Sequence, residues 1–574
     1  MRVTLRSRAG FALVTAALLA GYTAAETRCL AESPSQIAAV EELCTVESTA
    51  VRPRPGDSGA ARMSQMAMSI ANLASVQSLQ ADLAAASNLD QVERREDGPH
   101  MLNKDDNQLV TNTDPGTPMG ELFRRFWLPV ALSDELPGPD CVPVKLKIMN
   151  EDLIAFRDTE GNVGLVDAFC PHRGAPMFFA RNEECGLRCV YHGWKFDKDG
   201  SCTDLPNTPE GETYKDKVKI TAYPCRESAG MVFAYMGPRE KQPPFPDFDF
   251  NKVPASNTYI TKFQLECNWL QATEGDFDPS HVPFLHSTLD NNASNPQFQF
   301  QDNPNPLTGT GPSNTLAGPV SPDEPFPFAV GNRRFKKDDR RARDALLDID
   351  GAMYAVSRIT RPDGREQANV ILRYLMPIYC PPGIVRPNHF AGNFRVPIDN
   401  ERMMFFRLRW SRNPMTSEDI VYYKQGGYAY PEMIPGTWKT RANVFNDYEV
   451  DRLGQKNHLY SGIKTFPLQD IAMMENQWGP IAKRELEHLV AMDYHMIYLR
   501  KKLLQAAKNM RDGIEPPEPW LPETYHYHSA SAIIENGDFE AAVEAAKEKA
   551  KQSLFAPVRQ DVASVVASVA GGGA

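Results

Sequence analysis

Cysteine is scarce in this chain. Ten in 574 residues are too few and too irregularly placed for a disulfide framework, so the usage fits a reducing compartment where clustered cysteines bind metal. Positive charge is also in deficit, with 62 Lys and Arg against 73 Asp and Glu and a formal net charge of −11. That excludes the basic face with which nucleic-acid binders neutralise phosphates. No apolar run is long enough to span a bilayer, and no internal repeat is visible. No G-x-G-x-x-G follows a strand-like segment, and there is no second cysteine cluster of the plant-ferredoxin type, so the chain itself offers no seat for NADH or a flavin. What it does have is length and 42% hydrophobic content, enough for several domains with real cores.

The opening "MRVTLRSRAGFALVTAALLAGYTAA" carries arginines at 2, 6 and 8 before an apolar run from Phe11, as a secretory signal does. Residues 26 to 100 are rich in Ala, Ser, Gln and Glu without a clear strand or hairpin pattern. We expect residues 1–100 to be an upstream extension or misassigned start, largely disordered, with a cleaved targeting peptide as the rival reading. The enzyme proper is expected to begin near Met101 and to be cytoplasmic.

Beyond Met101 a helical segment is expected over 101–141, followed by a small antiparallel β domain over 142–240. There "VPVKLKIM", "DLIAFRD", "VGLVDAF" and "MVFAYMG" are separated by Gly, Asp and Asn turns. A proline-rich linker at 238–250 leads into a larger domain over 241–515, in which a helical stretch comes first, then strands such as "ANVILRYLMPI" and "RMMFFRLRW", then a long helix from Pro480 to Met510. Residues 303–328 read as a surface loop, 333–343 as a solvated basic run, and 516–574 as a tail with one exposed helix that supports assembly.

Two pairs of residues stand out on the β domain's loops: Cys170-x-His172 and, after sixteen intervening residues, Cys189-x-x-His192. Thiolate and imidazole donors at such spacing hold zinc or iron. Zinc is the ordinary reading, but the flanking "PHRGA" and "YHGW" resemble the Rieske motif, in which two cysteines hold one iron of a [2Fe-2S] cluster and two histidines the other.

Downstream lies "ECNWLQATEGDFDPSHVPFLHS", with Asp278, His281 and His286. Five residues of α-helix turn through about 500°, so the two imidazoles would not share a face of a straight helix. Pro283, between them, is expected to end or kink the helix and let both converge on one ion. A facial triad needs a carboxylate as well. The candidate is Asp493, set in an apolar stripe of Leu486, Leu489, Val490, Met496 and Ile497 at helical spacing. A carboxylate buried there is costly unless paired or coordinating; a buried Asp that caps or pairs with a neighbouring base is the plainer alternative, and Glu487 and Asp470 are weaker candidates.

From Met101 to about Leu504 the chain resembles the oxygenase (alpha) component of a Rieske non-haem iron oxygenase. The branch is the phthalate dioxygenase-like one that includes O-demethylases of lignin-derived aryl ethers. "CPHRGAP", "CVYHGWKFD", "CNWLQATEGDFDPSHVPFLH" and "QDIAMMENQWGPIAKRELEHLVAMD" carry the resemblance. Ala175 and Tyr191 stand where respiratory-chain Rieske proteins place an additional cysteine pair, so the likeness is to the soluble, lower-potential kind. The resemblance implies an α+β fold: an antiparallel β Rieske domain plus a helix-grip (START-like) catalytic domain, its antiparallel sheet wrapped around a long C-terminal helix. Subunits would form a homotrimer or a dimer of trimers.

The resemblance further implies one [2Fe-2S] cluster on Cys170, His172, Cys189 and His192, and one mononuclear Fe(II) on His281, His286 and Asp493. Asp278 would bridge the two metal sites across a subunit interface, although a helix N-cap is its plainer role. NADH would act through a separate reductase, with or without a ferredoxin. The implied reaction uses O2 to cis-dihydroxylate or O-demethylate a small aromatic acid, such as a phthalate-like or methoxylated aryl carboxylate; the alternative is a Rieske electron carrier without oxygenase activity. Arg386, Arg395, Arg407 and Arg409 are candidates to clamp the carboxylate, although strand arginines more often face solvent.

Overall fold

Two capped helices open the described chain in a computed structural model of the protein. In α1 (Lys104–Thr111) the Asn103 side chain accepts from Asp106 N, and in α2 (Pro118–Phe123) Thr117 accepts from Gly120 N with Pro118 in the first turn. Both caps satisfy amides that a helix start leaves without partners. The structure describes residues 102–555 apart from 210–212, 279, 288, 290–344, 361–363, 382–383, 387–388, 424–429 and 491–492. Expectations for residues 1–100, for the 303–328 loop and for the basic run at 333–343 therefore lie outside the described residues.

Antiparallel sheets come next. β1 (Trp127–Leu132), β10 (Cys225–Ser228) and β11 (Met231–Tyr235) form one sheet in the order β1-β11-β10. β2 (Val144–Ile148), β3 (Glu151–Arg157), β4 (Val163–Asp167) and β9 (Ala222–Tyr223) form a second. A third runs β5 (Arg181–Glu183), β6 (Gly186–Arg188), β7 (Lys195–Phe196) and β8 (Cys202–Asp204). The four segments singled out in the sequence are thus strands. β3, β4, β6 and β7 enclose a small core of their own, in which Ile154, Phe156, Leu187 and Phe196 pack with Cys170 and Cys189.

The proline-rich stretch at 238–250 is a packed strap. Phe248 and Phe250 are buried, and Phe248 lies 6.1 Å from Phe233 of β11 and 5.8 Å from Phe394 of the larger sheet, measured between ring centroids. Contacts of this kind each add roughly 0.5–1.5 kcal/mol beyond area burial. They lock the two halves of one chain together. The strap leads into a strand, β12 (Thr258–Leu265), and the expected helical stretch begins only after it, as α3 (Trp269–Phe277).

The larger half holds two more antiparallel sheets. One is ordered β12-β19-β18-β16, with β16 (Tyr379–Cys380), β18 (His389–Pro397) and β19 (Met403–Ser411); β17 (Ile384–Arg386) pairs with β18. The other is β13 (Ala345–Ile349), β14 (Ala352–Thr360), β15 (Glu366–Tyr374) and β20 (Ala530–Ile533). The fold is α+β, as expected, but the tail belongs to it: β20 completes a sheet. The last helix, over Phe539–Ala550, buries Ala542, Ala546 and Ala550 rather than standing exposed.

The long helix also differs from expectation. It runs only from Tyr494 to Arg511, and the segment before it holds a short 3-10 turn at Arg484–Leu486. Leu486 and Val490 are 49% and 61% exposed, so the apolar stripe read across residues 486–497 does not exist as a helix face.

A buried ion network ties this helix to α3. Glu274 of α3 accepts from Arg484 Nη2 at 2.8 Å and Arg500 Nε at 2.6 Å, and Arg500 also bonds Glu487. Burial alone would raise the Glu274 carboxyl, yet the two guanidiniums hold it down at about 2. Because that lies below the unfolded value near 4.3, the stabilisation is complete above that value and drains away as pH falls toward 2. Glu274→Gln is expected to cost about 3–5 kcal/mol by leaving two buried guanidiniums under-paired. Differential scanning calorimetry checks it: the variant's melting temperature should fall at pH 7, and an unchanged one would show the network to be neutral.

Candidate metal centres

Cys170 follows β4 and Cys189 follows β6, and the two loops are built alike. Cys170 N–H donates to Ala175 O at 2.8 Å and Gly174 N–H to Cys170 O at 2.9 Å. In the second loop Cys189 N–H donates to Trp194 O at 2.8 Å and Gly193 N–H to Cys189 O at 2.9 Å. Each loop turns at a glycine of positive φ, 67° at Gly174 and 80° at Gly193, where a side chain is disfavoured.

Both cysteines are buried with their thiols in mutual contact, while His172 and His192 sit half-buried with ring centroids 4.5 Å apart. Trp194 stacks on His172 at 4.2 Å and is itself held through Nε1–H to Asn207 Oδ1 at 3.1 Å. Burial pushes the Cys170 thiol up to about 11, so thiolate character at neutral pH calls for a bound cation. His172 Nδ1 is buried without a hydrogen-bond partner. Two thiols inside, two imidazoles nearer the surface and one orphaned ring nitrogen fit a [2Fe-2S] group of the Rieske kind.

The second centre is assembled from two helices. α3 ends at Phe277, and a separate single turn, α4 (Val282–Leu285), has His281 at its N-cap position, a proline in its first turn and His286 at its C-cap. The helix is therefore broken, as expected, but the two histidines bracket a short turn rather than a kink, with rings 5.1 Å apart. Facing them is α5 (Phe466–Met474), "FPLQDIAMM", in which Gln469 and Asp470 are the polar members.

His286 Nε2 lies 3.0 Å and His281 Nε2 3.6 Å from the same Asp470 Oδ1. Donor atoms of His281, His286 and Asp470 all fall within 4.8 Å of one another. The opposite ring nitrogens are tied back. His281 Nδ1 meets Asp278 Oδ2 at 3.3 Å, and His286 Nδ1 meets Gln469 Oε1 at 2.7 Å. Gln469 Nε2 in turn donates to Ile463 O at 2.8 Å. That bond sets the amide's orientation, so Oε1 must accept and Nδ1 of His286 must carry the proton. In the neutral imidazole Nε2 of His286 is then a lone pair, buried and aimed at a carboxylate oxygen. These are two acceptors 3.0 Å apart, a pair that a bound cation would satisfy, and the donor set is that of a facial triad.

Exposure tells which side is open: the His286 side chain is 1% exposed, that of His281 24% and that of Asp470 25%. One imidazole anchors the group and the other two donors border accessible space. Phe466 covers the buried ring at 3.8 Å. Burial alone would raise the Asp470 carboxyl, but His286 and His281 in their protonated forms, with Arg395, bring it below the usual carboxylate range.

Asp493 is not part of this group. It sits at the N-cap position of the Tyr494–Arg511 helix, and its Oδ2 accepts from Val490 N at 2.7 Å. The carboxylate brought to the histidines is Asp470, and Glu487 is engaged by Arg500. Asp278 lies beside His281, but it caps no following helix. Its Oδ1 accepts from Ser280 N at 2.7 Å and Ser280 Oγ at 2.6 Å, an Asx-type turn after α3. No motif in the sequence singled out Gln469; two polar side chains in an otherwise apolar nine-residue helix were the available signal.

Gln469→Leu is expected to weaken iron retention about 10–100-fold, because losing the group that orients a ligand imidazole typically costs that much. Competition with a chelator measures it. An unchanged retention curve would show that Gln469 does not orient His286.

Comparison with known proteins agrees with this geometry. Residues 126–224 match the Rieske [2Fe-2S] domain family, and residues 234–300 and 355–558 match the family described as LigXa C-terminal domain like. The chain is 31% identical to the phthalate 4,5-dioxygenase oxygenase subunit of Pseudomonas putida, over 72% of this chain and 88% of that one. It is 30% identical to the 5,5'-dehydrodivanillate O-demethylase oxygenase subunit of a Sphingobium species, over 72% and 83%. It is 35% identical to the tert-butanol monooxygenase / tert-amyl alcohol desaturase oxygenase subunit of Aquincola tertiaricarbonis, over 72% and 78%. With a Rieske domain, a second centre built for mononuclear iron and relatives of this extent, the chain belongs to the Rieske non-haem iron oxygenases, as an oxygenase component of the phthalate dioxygenase-like branch.

Proposed function

We propose that this protein is the terminal oxygenase of a multicomponent system that hydroxylates or O-demethylates an aromatic acid, phthalate-like or a methoxylated aryl carboxylate. Electrons would come from a separate NADH-dependent reductase, directly or through a ferredoxin. Cys170, His172, Cys189 and His192 would hold the [2Fe-2S] group, and His281, His286 and Asp470 the mononuclear iron. When bound, the first supplies single electrons and the second activates dioxygen. The observation that carries this reading is the buried His286 Nε2 directed at Asp470 Oδ1.

The chain's own residues do the positioning. Gln469 and Asp278 take the outer ring protons of His286 and His281, which leaves both Nε2 lone pairs inward. Phe466 keeps water off the buried imidazole. The reading as a pure electron carrier leaves the His281, His286 and Asp470 group without a task. The protein would act in the cytoplasm as a head-to-tail homotrimer, in which Asp278 of one subunit stands near the cluster of the next; among the described residues no helix is long and apolar enough to cross a membrane.

The test is turnover by iron-loaded protein with a surrogate reductase, NADH and a panel of plain and methoxylated aromatic acids. Formaldehyde with a free phenol marks demethylation, and a product keeping both oxygen atoms as a cis-diol marks ring dioxygenation. Oxygen uptake without either product from any member would overturn the proposal.

A further inference from the structure

One face of the β13-β14-β15-β20 sheet is polar although it is buried. Ser357 of β14 pairs with Asn369 of β15, and Asn369 with Ser531 of β20, so the three side chains form a row across adjacent strands. Gln367 follows on the same face, two residues along β15, and its Nε2–H donates to Asn369 Oδ1 at 2.7 Å. All four side chains are buried, Gln367 and Ser531 completely. The opposite face is the ordinary apolar one. There Ala368, Val370 and Leu372, with Ala530 and Ala532 beside them, share a core with Ala542, Ala546 and Ala550 of the last helix.

The polar face runs toward the iron site. Arg373 lies on it at the bulge where β15 gains a residue against Met353, four residues and about 13 Å along the strand from Asn369. Arg373 and Asp278 are the charged groups that act on His495, the second residue of the Tyr494–Arg511 helix. His495 is 1% exposed, and its ring lies 5.9 Å from that of Phe277 at the end of α3. Burial, and then Arg373, depress the imidazole to about 4, so it is neutral and offers one N–H and one lone pair. Both of its ring nitrogens are buried without a hydrogen-bond partner, and so is Ser531 Oγ at the other end of the face. Each such group costs roughly 1–3 kcal/mol, a cost that phenylalanine or alanine in its place would avoid. Unpaired polar groups thus mark both ends of one buried face, and groups of that kind point to a ligand or a catalytic task.

We infer that this face is the far wall of the substrate chamber, and that the substrate is an elongated aromatic acid whose end distant from the iron carries uncharged hydroxyl or methoxyl groups. This rests on the oxygenase reading above and deepens it. Serine, asparagine and glutamine side chains both donate and accept, which suits a neutral hydroxyl. The row itself holds no charge, so a second carboxylate placed against it would stay unpaired. The length of the face sets the size. About 13 Å along β15 separates Asn369 from Arg373, more than one benzene ring spans, so a second ring is needed to reach the row. Ser357, Asn369 and Ser531 determine specificity there, and His495 stands where the face meets the iron site.

Calorimetric titration of the iron-loaded protein with benzoate, 4-hydroxybenzoate, biphenyl-4-carboxylate and 4'-hydroxybiphenyl-4-carboxylate tests this without turnover. In the wild type the distal hydroxyl should tighten binding of the two-ring acid about tenfold, the scale of one hydrogen bond to a buried group. The hydroxyl of the one-ring acid should change binding little. Ser531→Ala should remove most of the two-ring preference while leaving biphenyl-4-carboxylate unchanged, and Ser357→Ala, at the other end of the row, should lower it as well. Because Ser531→Ala deletes an unpaired hydroxyl, its melting temperature should match or exceed that of the wild type. A serine with a merely structural role would leave the preference intact. Far-UV circular dichroism and iron content establish that each variant is folded. No distal-hydroxyl preference in the wild type, an undiminished preference in both alanine variants, or binding of the one-ring acids with exclusion of both two-ring acids would overturn the wall. A distal-hydroxyl preference without product from any aromatic would instead overturn the oxygenase reading and leave the wall standing.

Discussion

Asp470→Ala is expected to strip the mononuclear iron and abolish turnover while leaving the Rieske absorption intact, whereas Asp493→Ala should leave both metals in place. The two side chains differ in what they face. Asp470 Oδ1 lies 3.0 Å from one imidazole Nε2 and 3.6 Å from another; Asp493 closes a local turn onto Val490 N. Removing Asp470 leaves two neutral imidazoles and no charge to offset a divalent ion. An orienting partner alone costs about 10–100-fold in metal affinity, so loss of the ligand itself should exceed about 100-fold. Iron analysis after gel filtration reads the first centre and electron paramagnetic resonance of the reduced protein reads the second. Retained iron in Asp470→Ala together with lost iron in Asp493→Ala would reverse the assignment. The two variants also separate a ligand from a fold effect, since Asp493 belongs to the N-terminal flank of the long helix and Asp470 to α5.

The contrast between these two aspartates marks how far the sequence was legible. The Rieske loops could be read directly, because the two Cys-His pairs lie within one short stretch and each loop closes on itself through Cys N–H and Gly N–H bonds. His281 and His286 were legible for the same reason, being joined by a single turn. The carboxylate that meets them, Asp470, comes from a separate helix, after a stretch of sheet, and only tertiary folding brings it near. Periodicity then misled: Leu486, Leu489 and Val490 fall at helical spacing, but that segment forms a short 3-10 turn and extended chain, and two of the three are well exposed. Helical period is evidence of a helix only where the face has something to pack against. The better signal was chemical. "FPLQDIAMM" hides two polar residues in an apolar helix, and such residues stay only where something offsets their desolvation. The arginines of β18 and β19 were visible as candidates, but no one-dimensional pattern says which face of a sheet meets α3. The fate of the tail was hidden likewise, since β20 owes its place to pairing with β15.

Asp278→Asn should retain both metals yet lower product formation by about 100-fold or more, the upper end of what outer groups contribute. Burial works to raise the Asp278 carboxyl, but His281 and Ser280 hold it below the usual range, so at neutral pH it is a full anion against the outer nitrogen of a ligand imidazole. The amide preserves size, and its oxygen can still accept from Ser280 N, so the turn after α3 should survive. What it loses is the charge that favours a proton on His281 Nδ1 and strengthens Nε2 as a donor. The measurement must therefore separate three quantities: iron content, reduction of the Rieske centre by the reductase, and reoxidation of that centre when substrate and dioxygen are added. The first two should match the wild type and the third should slow. A turn-forming residue alone would leave all three unchanged, because asparagine forms the same Asx turn. Loss of iron would instead mean that Asp278 acts chiefly by orienting His281, the counterpart of Gln469 on His286. Only slowed reoxidation with iron retained would make Asp278 the carboxylate through which the two centres communicate.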